Sequence, residues 1–204
     1  MRHTQYPHTM KTRTIAITSA AIITTIATIA AIRISRNPAR RIIKAAQKYV
    51  GIHEIGSNGG WDNADFQQKM TAVGWKNGEA WCAYFVKMLL LEISKGKANE
   101  YFKKTCSANT QITWNNFQTP SKYHEVSQKP RKGSLIIYQG ISDPSQGHVE
   151  IYLSKGKNGG YNVISGNVSF PGGGQGVVQK ERTATEMQRQ GLKILGYINI
   201  KKLK

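Results

Sequence analysis

The stretch from Glu79 to Leu91 constrains the fold most, because it is strongly apolar and its large side chains recur at helical spacing. The residues at that spacing are Trp81, Phe85, Met88 and Leu89. They predict a buried helix from about residue 80 to about residue 94. Cys82 falls in the first turn of this helix, where unpaired N–H groups and the positive end of the helix dipole stabilise an anion.

Two interpretations of Cys82 follow from this position. A thiol at a helix N-terminus titrates below its free pKa of about 8.5, and the thiolate is the reactive form, so Cys82 is a candidate nucleophile. Alternatively, Cys82 is a small apolar residue of the core, since free cysteines are among the most buried side chains. The helix alone does not decide between them.

A predicted hairpin further along the chain supplies a candidate base. Residues 147–153 alternate, with apolar side chains on one face and His148 and Glu150 on the other, which predicts a half-buried strand. After a turn rich in Gly and Lys, residues 161–167 return as a second strand. If the hairpin folds about the middle of that turn, His148 lies near Asn167, and the Asn167 amide is expected to reach the imidazole. Nucleophile, base and orienting amide together would form a Cys-His-Asn site.

Several short motifs follow one another in a characteristic order. They are Glu54-Ile55-Gly56-Ser57-Asn58-x-Gly60, Trp81-Cys82-Ala83-x-Phe85-Val86, Pro130-x-x-Gly133-Ser134-Leu135-Ile136-Ile137-Tyr138, Gly147-His148-Val149-x-Ile151-Tyr152 and Gly166-Asn167. Together they resemble the CHAP family of cysteine, histidine-dependent amidohydrolases/peptidases, within the papain-like NlpC-type superfamily. The resemblance covers residues from about 42 to about 200. Ser134 departs from the family pattern, which commonly has Asp there, and we expect this change to affect strand packing or the groove rather than chemistry.

The resemblance implies an enzyme of bacterial peptidoglycan, either an endopeptidase or an N-acetylmuramoyl-L-alanine amidase. Cys82 would be the nucleophile, His148 the base and Asn167 the residue that holds the imidazole. The residues expected to contact substrate are Glu54, Asn58, Trp81 and Glu150. Glu150 has two further interpretations, as a contact of His148 or as a solvated surface carboxylate, and turn chemistry explains Asn58 equally well. No metal or organic cofactor is implied.

Helical patterns precede strand patterns, which is typical of an α+β domain. Asn37 suits a helix N-cap and Pro38 the first helical position, so a helix is predicted from Pro38 to about Val50. A second helix is predicted over about 64–73, whereas residues 95–130 indicate a short helix plus loops. Antiparallel strands are predicted at 134–139, 148–153, 161–167, 176–181 and 194–200. We therefore expect a papain-like α+β domain over residues 38–204, with N-terminal helices packed on an antiparallel sheet.

Residues 14–32 carry no charged side chain and follow a basic tail over residues 1–13. As a helix they would span roughly 28 Å, close to the hydrocarbon thickness of a bilayer. This favours a transmembrane or signal-anchor helix over a cleaved signal peptide, whose apolar core is usually about 7–15 residues long. The bases that follow the segment outnumber those before it, so the positive-inside rule would keep the domain in the cytoplasm. They are Arg33 and Arg36 in the linker at 33–37, and Arg40, Arg41 and Lys44 beyond it. A hydrolase of peptidoglycan must instead act in the periplasm or at the cell wall, so the orientation stays open.

The chain is strongly basic, with 29 Lys and Arg, 11 Asp and Glu, and a formal net charge of +18. Five of the bases and none of the acids precede residue 38, which leaves +13 on the predicted domain. Such a surface suits a polyanion, for example an anionic wall polymer, lipopolysaccharide or anionic lipid. Nucleic acid is disfavoured because the lysines are dispersed and no nucleic-acid motif occurs. No spacing of His and Cys resembles a zinc site, and nothing indicates the oligomeric state.

Alternatives to the hydrolase remain open at this point. One is a catalytically silent basic module that binds or anchors cell-wall polymer, and another is an acyltransferase on the same scaffold. In an oxidising compartment, a disulfide between Cys82 and Cys106 would abolish the nucleophile. A free, partly buried Cys106 is the other interpretation. The sequence distinguishes neither a phage nor a bacterial origin.

Overall fold

The computed structural model describes residues 37–204. The predicted basic tail, the predicted membrane segment at 14–32 and most of the linker lie outside the described residues. Between residues 37 and 204, no helix is both long enough and apolar enough to cross a membrane.

Five helices precede the main strands. They are α1 (Pro38–Gln47), α2 (Ala64–Ala72), α3 (Cys82–Ile93), α4 (Lys97–Thr105) and α5 (Thr110–Phe117). The first three confirm the predicted helices at 38–50, 64–73 and 80–94. Two helices, α4 and α5, occupy the region for which one short helix was predicted. Asn109 is the N-cap of α5, and its side chain accepts hydrogen bonds from the backbone N–H groups of Gln111 and Ile112. Asparagine is a favoured residue at this position.

Six strands form one antiparallel sheet in the order β1-β6-β2-β3-β4-β5. They are β1 (His124–Ser127), β2 (Leu135–Gly140), β3 (Gly147–Lys155), β4 (Tyr161–Ser169), β5 (Gln175–Arg182) and β6 (Leu192–Ile200). The predicted strands are confirmed, and the α+β class with them. The edge strand β1 was not predicted, nor was the short helix α6 (Ala184–Arg189) between β5 and β6.

The two faces of the sheet are covered differently. Helix α3 lies in the larger core, against a sheet face that carries Val149, Ile151 and Ile164. The other face carries a smaller cluster, to which α6 contributes Met187. The strand residues of that cluster are Ile136, Tyr138, Tyr152, Val163 and Tyr197. By alternation along β3, His148 and Glu150 belong to this second face.

Helix α3 approaches β4 closely at Gly166. A Cβ atom at residue 166 would lie 2.7 Å from a ring carbon of Trp81 and 2.9 Å from one of Phe85. Both distances are far below van der Waals contact, so the first turn of α3 can lie on β4 only because residue 166 has no side chain.

Strand β4 is irregular immediately beyond this contact. Ser165 pairs with Val178, but Val168 pairs with Gly176, so the register with β5 shifts between them. Asn167 lies inside this bulge with a φ of 62°. A left-handed residue in a bulge changes the direction of its side chain. Asn167 therefore leaves the regular alternation that Ser165 follows.

We expect Gly166→Ala to lower the free energy of unfolding by about 1–3 kcal/mol, because the new methyl group overpacks the contact between α3 and β4. Urea denaturation followed by tryptophan fluorescence measures the change. Ser154→Ala, at an exposed position of β3, is the control. A loss below about 0.5 kcal/mol is in the range of ordinary surface substitutions. It would show that α3 and β4 accommodate the methyl group without loss of stability.

Candidate active site

Cys82 is the first residue of α3, which confirms its predicted place in the first turn. Its N-cap residue, Trp81, makes no side-chain capping hydrogen bond. The Phe85 N–H donates to the Trp81 carbonyl at 2.9 Å, one turn into the helix. The Cys82 N–H consequently has no acceptor within the helix, and it lies with the thiol at the positive end of the helix dipole.

His148 lies near the start of β3, close to the first turn of α3. Its imidazole lies close enough to the Cys82 thiol for each group to shift the pKa of the other. The Nε2 atom of His148 lies 2.8 Å from Ser165 Oγ and 3.5 Å from Glu150 Oε1. Nδ1 is therefore the ring nitrogen left for the thiol. The structure brings together Cys82 and His148, as the sequence predicted.

The thiol and the imidazole change each other's pKa. Burial raises the pKa of the Cys82 thiol, but His148, Val149 and Thr110 together lower it by more, so the pKa lies below its ordinary value. Burial lowers the pKa of His148, whereas Cys82 and then Glu150 raise it, and the result lies above the ordinary value. The lowered pKa of Cys82 and the raised pKa of His148 both favour a thiolate beside an imidazolium.

Two hydrogen-bond donors accompany the imidazole at the sulfur atom. The backbone N–H of Val149 donates to Cys82 and lowers the pKa of the thiol further. The hydroxyl of Thr110, the first residue of α5, lies 4.0 Å from Cys82 Sγ. Both groups favour the charged form of the sulfur, because a donor stabilises an anion more than a neutral thiol.

Glu150 lies behind His148 and is completely buried. Arg182 Nε donates to its Oε1 atom at 2.8 Å, and the Tyr138 hydroxyl donates to Oε2 at 2.9 Å. Burial raises the pKa of this carboxyl, but His148 and Arg182 lower it to about 2, so Glu150 is charged. The structure contradicts both the substrate contact and the solvated surface carboxylate. Of the three interpretations, the contact with His148 is confirmed.

Asn167 does not contact His148, contrary to the prediction. Its Oδ1 atom accepts the backbone N–H of Trp81 at 2.7 Å, and its Nδ2 atom donates to Asn58 Oδ1 at 3.1 Å and to the side chain of Gln175. With its left-handed backbone, Asn167 directs its amide oxygen to the start of α3.

Ser165 takes the place at the imidazole that was predicted for Asn167. The register of β3 and β4 pairs Glu150 with Ser165, in agreement with the predicted hairpin. Directly opposed residues place their side chains on the same face, so Ser165 and Glu150 both face His148. This register was the signal in the sequence that could have identified Ser165.

The other residues predicted along the groove surround the first turn of α3. Trp81 is fully buried, which contradicts a direct substrate contact, and its indole N–H donates to Glu54 Oε2 at 2.8 Å. Glu54 and Asn58 line a polar cleft of about 650 Å³ whose other wall includes residues 172–174. A second cleft of about 290 Å³ lies beside His148 and Asn167. The two clefts adjoin, since Ser169 and Gln175 line both.

Cys82 and Cys106 are both free thiols, so this structure contains no disulfide between them. Burial raises the pKa of Cys106 to about 12, although Lys87 partly opposes this. The two cysteines are therefore chemically unlike. Over the described part of the chain, no three His, Cys, Asp or Glu side chains are grouped as a metal site would require.

The fold and the site define a class of protein, an α+β domain in which the N-terminus of a buried helix presents a thiol to a histidine on the adjoining strand. Residues 74–167, which include both of these side chains, match the family model of the CHAP domain. The match confirms, over these residues, the resemblance inferred from the sequence. This domain implies a function of the peptidoglycan-hydrolase type. Comparisons with curated proteins and with solved structures give no significant match.

The pKa shifts predict that iodoacetamide alkylates Cys82 at a lower pH than an ordinary thiol, under conditions in which Cys106 stays unmodified. A lowered pKa supplies thiolate below the ordinary thiol value of about 8.5, and His148→Ala removes the partner that lowers it. The pH midpoint of Cys82 alkylation should therefore rise in His148→Ala. Peptide mass mapping across pH 5–10 measures both cysteines, with Cys106→Ala as the control. Equal midpoints with and without His148 would contradict the thiolate–imidazolium pair.

Proposed function

We propose that this chain hydrolyses an amide bond of peptidoglycan, with Cys82 as the nucleophile and His148 as the general base and acid. The observation that carries the proposal is the proximity of an imidazole to a thiol of lowered pKa, at a helix N-terminus where the Cys82 N–H has no acceptor within the helix. The CHAP domain supplies the substrate class. No step of the reaction requires a metal or an organic cofactor.

In the first half of the reaction, the Cys82 thiolate attacks the carbonyl carbon of the amide. The carbonyl oxygen becomes an oxyanion and accepts a hydrogen bond from the Cys82 N–H, which has no partner within α3. The imidazolium of His148 then gives its Nδ1 proton to the amide nitrogen, and the C–N bond breaks. An amine leaves, and the acyl group remains on Cys82 as a thioester.

In the second half, neutral His148 removes a proton from water as the water attacks the thioester carbonyl. The second tetrahedral intermediate collapses, the C–S bond breaks, and the thiolate returns beside the imidazolium. The products are one amine and one carboxylate for each amide bond cut. Attack by an acceptor amine or alcohol in place of water would give acyl transfer instead.

Ser165 and Glu150 hold the imidazole for both proton transfers. The Nε2–H group of the imidazolium is directed at the Ser165 hydroxyl, 2.8 Å away, and toward the Glu150 carboxylate, 3.5 Å away. Arg182 in turn fixes Glu150 from the other side. The ring is thereby confined in the tautomer that presents Nδ1 to the sulfur. Serine and glutamate together perform the function for which the sequence suggested Asn167.

Peptidoglycan offers two types of amide bond to such a site, and the two adjoining clefts determine which is cut. The larger cleft is lined by glycines and polar side chains, without an aliphatic or aromatic residue. Such walls suit hydrogen bonds to the amides of a peptide or to a sugar hydroxyl. Cleavage within the stem peptide or cross-bridge would make the enzyme an endopeptidase, and cleavage between muramic acid and L-alanine an amidase.

We also propose that residues 14–32 bring the domain to the membrane, so that it acts on peptidoglycan in the periplasm or at the cell wall. The uncharged length of this segment supports the proposal, and the basic surface of the domain suits anionic wall polymers. The arginines after the segment oppose export through a simple anchor. Release of the segment from the bilayer would reconcile the two.

We expect the chain to release soluble fragments from purified sacculi, and Cys82→Ala to lower the rate by roughly 10³-fold or more, because no other group replaces the nucleophile. Sacculi from Gram-positive and Gram-negative bacteria are the substrates. Mass spectrometry of the new termini identifies the bond, since an amidase frees the N-terminus of L-alanine and an endopeptidase exposes termini within the peptide. Cys106→Ala is the matched control, with release expected to stay within about twofold.

Equal release by the unchanged chain and by Cys82→Ala would exclude the proposed nucleophile. Binding of sacculi without any fragments would favour the silent wall-binding module. Transfer of an acyl group to an added amine, with little free carboxylate, would favour the acyltransferase.

We expect Ser165→Ala to lower fragment release about tenfold, because a net hydrogen bond to a charged group is worth about 1.5 kcal/mol or more. The same change should raise the pH midpoint of Cys82 alkylation, since the imidazolium loses a partner and the thiolate is then less favoured. Ser154→Ala, at the far end of the hairpin, is the matched serine control. A loss of release without a shifted alkylation midpoint would show that Ser165 acts on the substrate rather than on His148.

A further inference from the structure

The amide of Asn167 joins three segments of the chain at the first turn of α3. It accepts the Trp81 N–H at 2.7 Å and donates to Asn58 from the loop before α2. It also donates to the side chain of Gln175, at the start of β5. None of the three contacts is made with the imidazole, so they serve a purpose other than holding His148 directly.

The backbone conformations of Asn58 and Asn167 indicate that the fold holds this set of hydrogen bonds in place. Asn58 and Asn167 are the non-glycine residues with positive φ in the described chain, at 56° and 62°. Their side chains bond each other across 109 positions of sequence. A left-handed conformation is uncommon for a residue with a side chain, and such residues persist where the surroundings fix them.

Trp81 is held at three points, and Asn167 provides one of them. Its carbonyl oxygen accepts the Phe85 N–H at 2.9 Å, and its indole N–H donates to Glu54 at 2.8 Å. Asn167 fixes the remaining polar group, the backbone N–H of Trp81. The Trp81 carbonyl and the Cys82 N–H belong to one planar peptide. Fixing both ends of Trp81 therefore fixes the direction of the Cys82 N–H.

We propose that Asn167 is a positioning residue for the oxyanion hole, which it builds by holding Trp81 so that the Cys82 N–H points at the reacting carbonyl. The inference rests on the proposed function, in which that N–H stabilises the oxyanion. Asn58 and Gln175 are the anchors that keep the Asn167 amide in its orientation. The substrate clefts adjoin these residues, so the oxyanion donor and the groove walls share one set of hydrogen bonds.

Two substitutions isolate the hydrogen-bond acceptor from the backbone conformation. Asn167→Gly keeps the left-handed backbone at little steric cost and removes the acceptor. Asn167→Asp keeps an acceptor oxygen for the Trp81 N–H and removes the donor to Asn58 and Gln175. Asn162→Ala, near the other end of β4, is the matched asparagine control. Circular dichroism and the urea midpoint establish that each variant is folded.

Two reactions of Cys82 separate an oxyanion role from an imidazole role. Amide hydrolysis passes through a tetrahedral oxyanion, whereas alkylation by iodoacetamide displaces iodide and forms none. Both reactions need the thiolate–imidazolium pair. The full chain in detergent micelles is assayed for initial release from sacculi at low and saturating substrate, and for the rate and pH midpoint of Cys82 alkylation. Deuterium exchange of the peptide containing Trp81 reports on the hydrogen bond without any catalysis.

We expect Asn167→Gly to lower the saturating rate of hydrolysis roughly 10- to 100-fold. Removal of a whole oxyanion donor costs about 100-fold or more, and here the donor is only displaced. Alkylation should stay within about twofold with an unchanged midpoint, and exchange at Trp81 should accelerate. Asn167→Asp should recover part of the rate, because it restores the acceptor oxygen without the anchoring bonds to Asn58 and Gln175.

Unchanged hydrolysis in Asn167→Gly would overturn the inference while leaving the hydrolase intact. A shifted pH midpoint of Cys82 alkylation in Asn167→Gly would also overturn it, because it would show that Asn167 acts on the imidazole of His148. Failure of Asn167→Asp to recover any activity would show that the acceptor oxygen is not what matters. If the unchanged chain and Cys82→Ala release fragments equally, the proposed function itself fails, and the inference with it.

Discussion

The close contact of α3 with β4 at Gly166 is the constraint on which the rest of the site depends. Because residue 166 lacks a side chain, the first turn of α3 lies directly on the strand. The residues on either side of Gly166 then contact different parts of the site. Ser165 reaches the imidazole on β3, and Asn167 reaches the backbone of Trp81. One tripeptide thus places the thiol, the imidazole and the helix N-terminus relative to one another.

The buried charges of the site are arranged in pairs, which makes their burial tolerable. Glu150 is completely buried, and such a carboxylate is strongly unfavourable unless it is paired and hydrogen-bonded. Arg182, Tyr138 and His148 supply those partners. Arg182 is itself buried and extends the chain of charges to Glu186 on α6. The protonated imidazole is therefore stabilised from behind, which in turn favours the thiolate in front of it.

Elements with strong periodicity could be predicted from the sequence, and the direction of individual polar side chains could not. The apolar repeat of α3 placed Cys82 at a helix N-terminus, and the alternation of β3 and β4 gave a hairpin in which Glu150 opposes Ser165. Asn167 was assigned to the imidazole because regular alternation was assumed, whereas a bulge and a left-handed φ turn it away. Glu150 looked solvated because its partner Arg182 lies 32 residues further along the chain.

The positive charge of the domain and the chemistry of the site are separable. The cations that line the cleft beside His148, Arg182 and Lys180, are neutralised within the fold by Glu150 and Glu186. They contribute little net charge to the cleft that they line. The excess of lysine and arginine therefore lies elsewhere on the domain, where the proposed attraction of an anionic polymer would not perturb the thiolate–imidazolium pair. Salt should accordingly weaken attachment to the wall more than the reaction of a bound substrate, because exposed charges are screened and buried pairs are not.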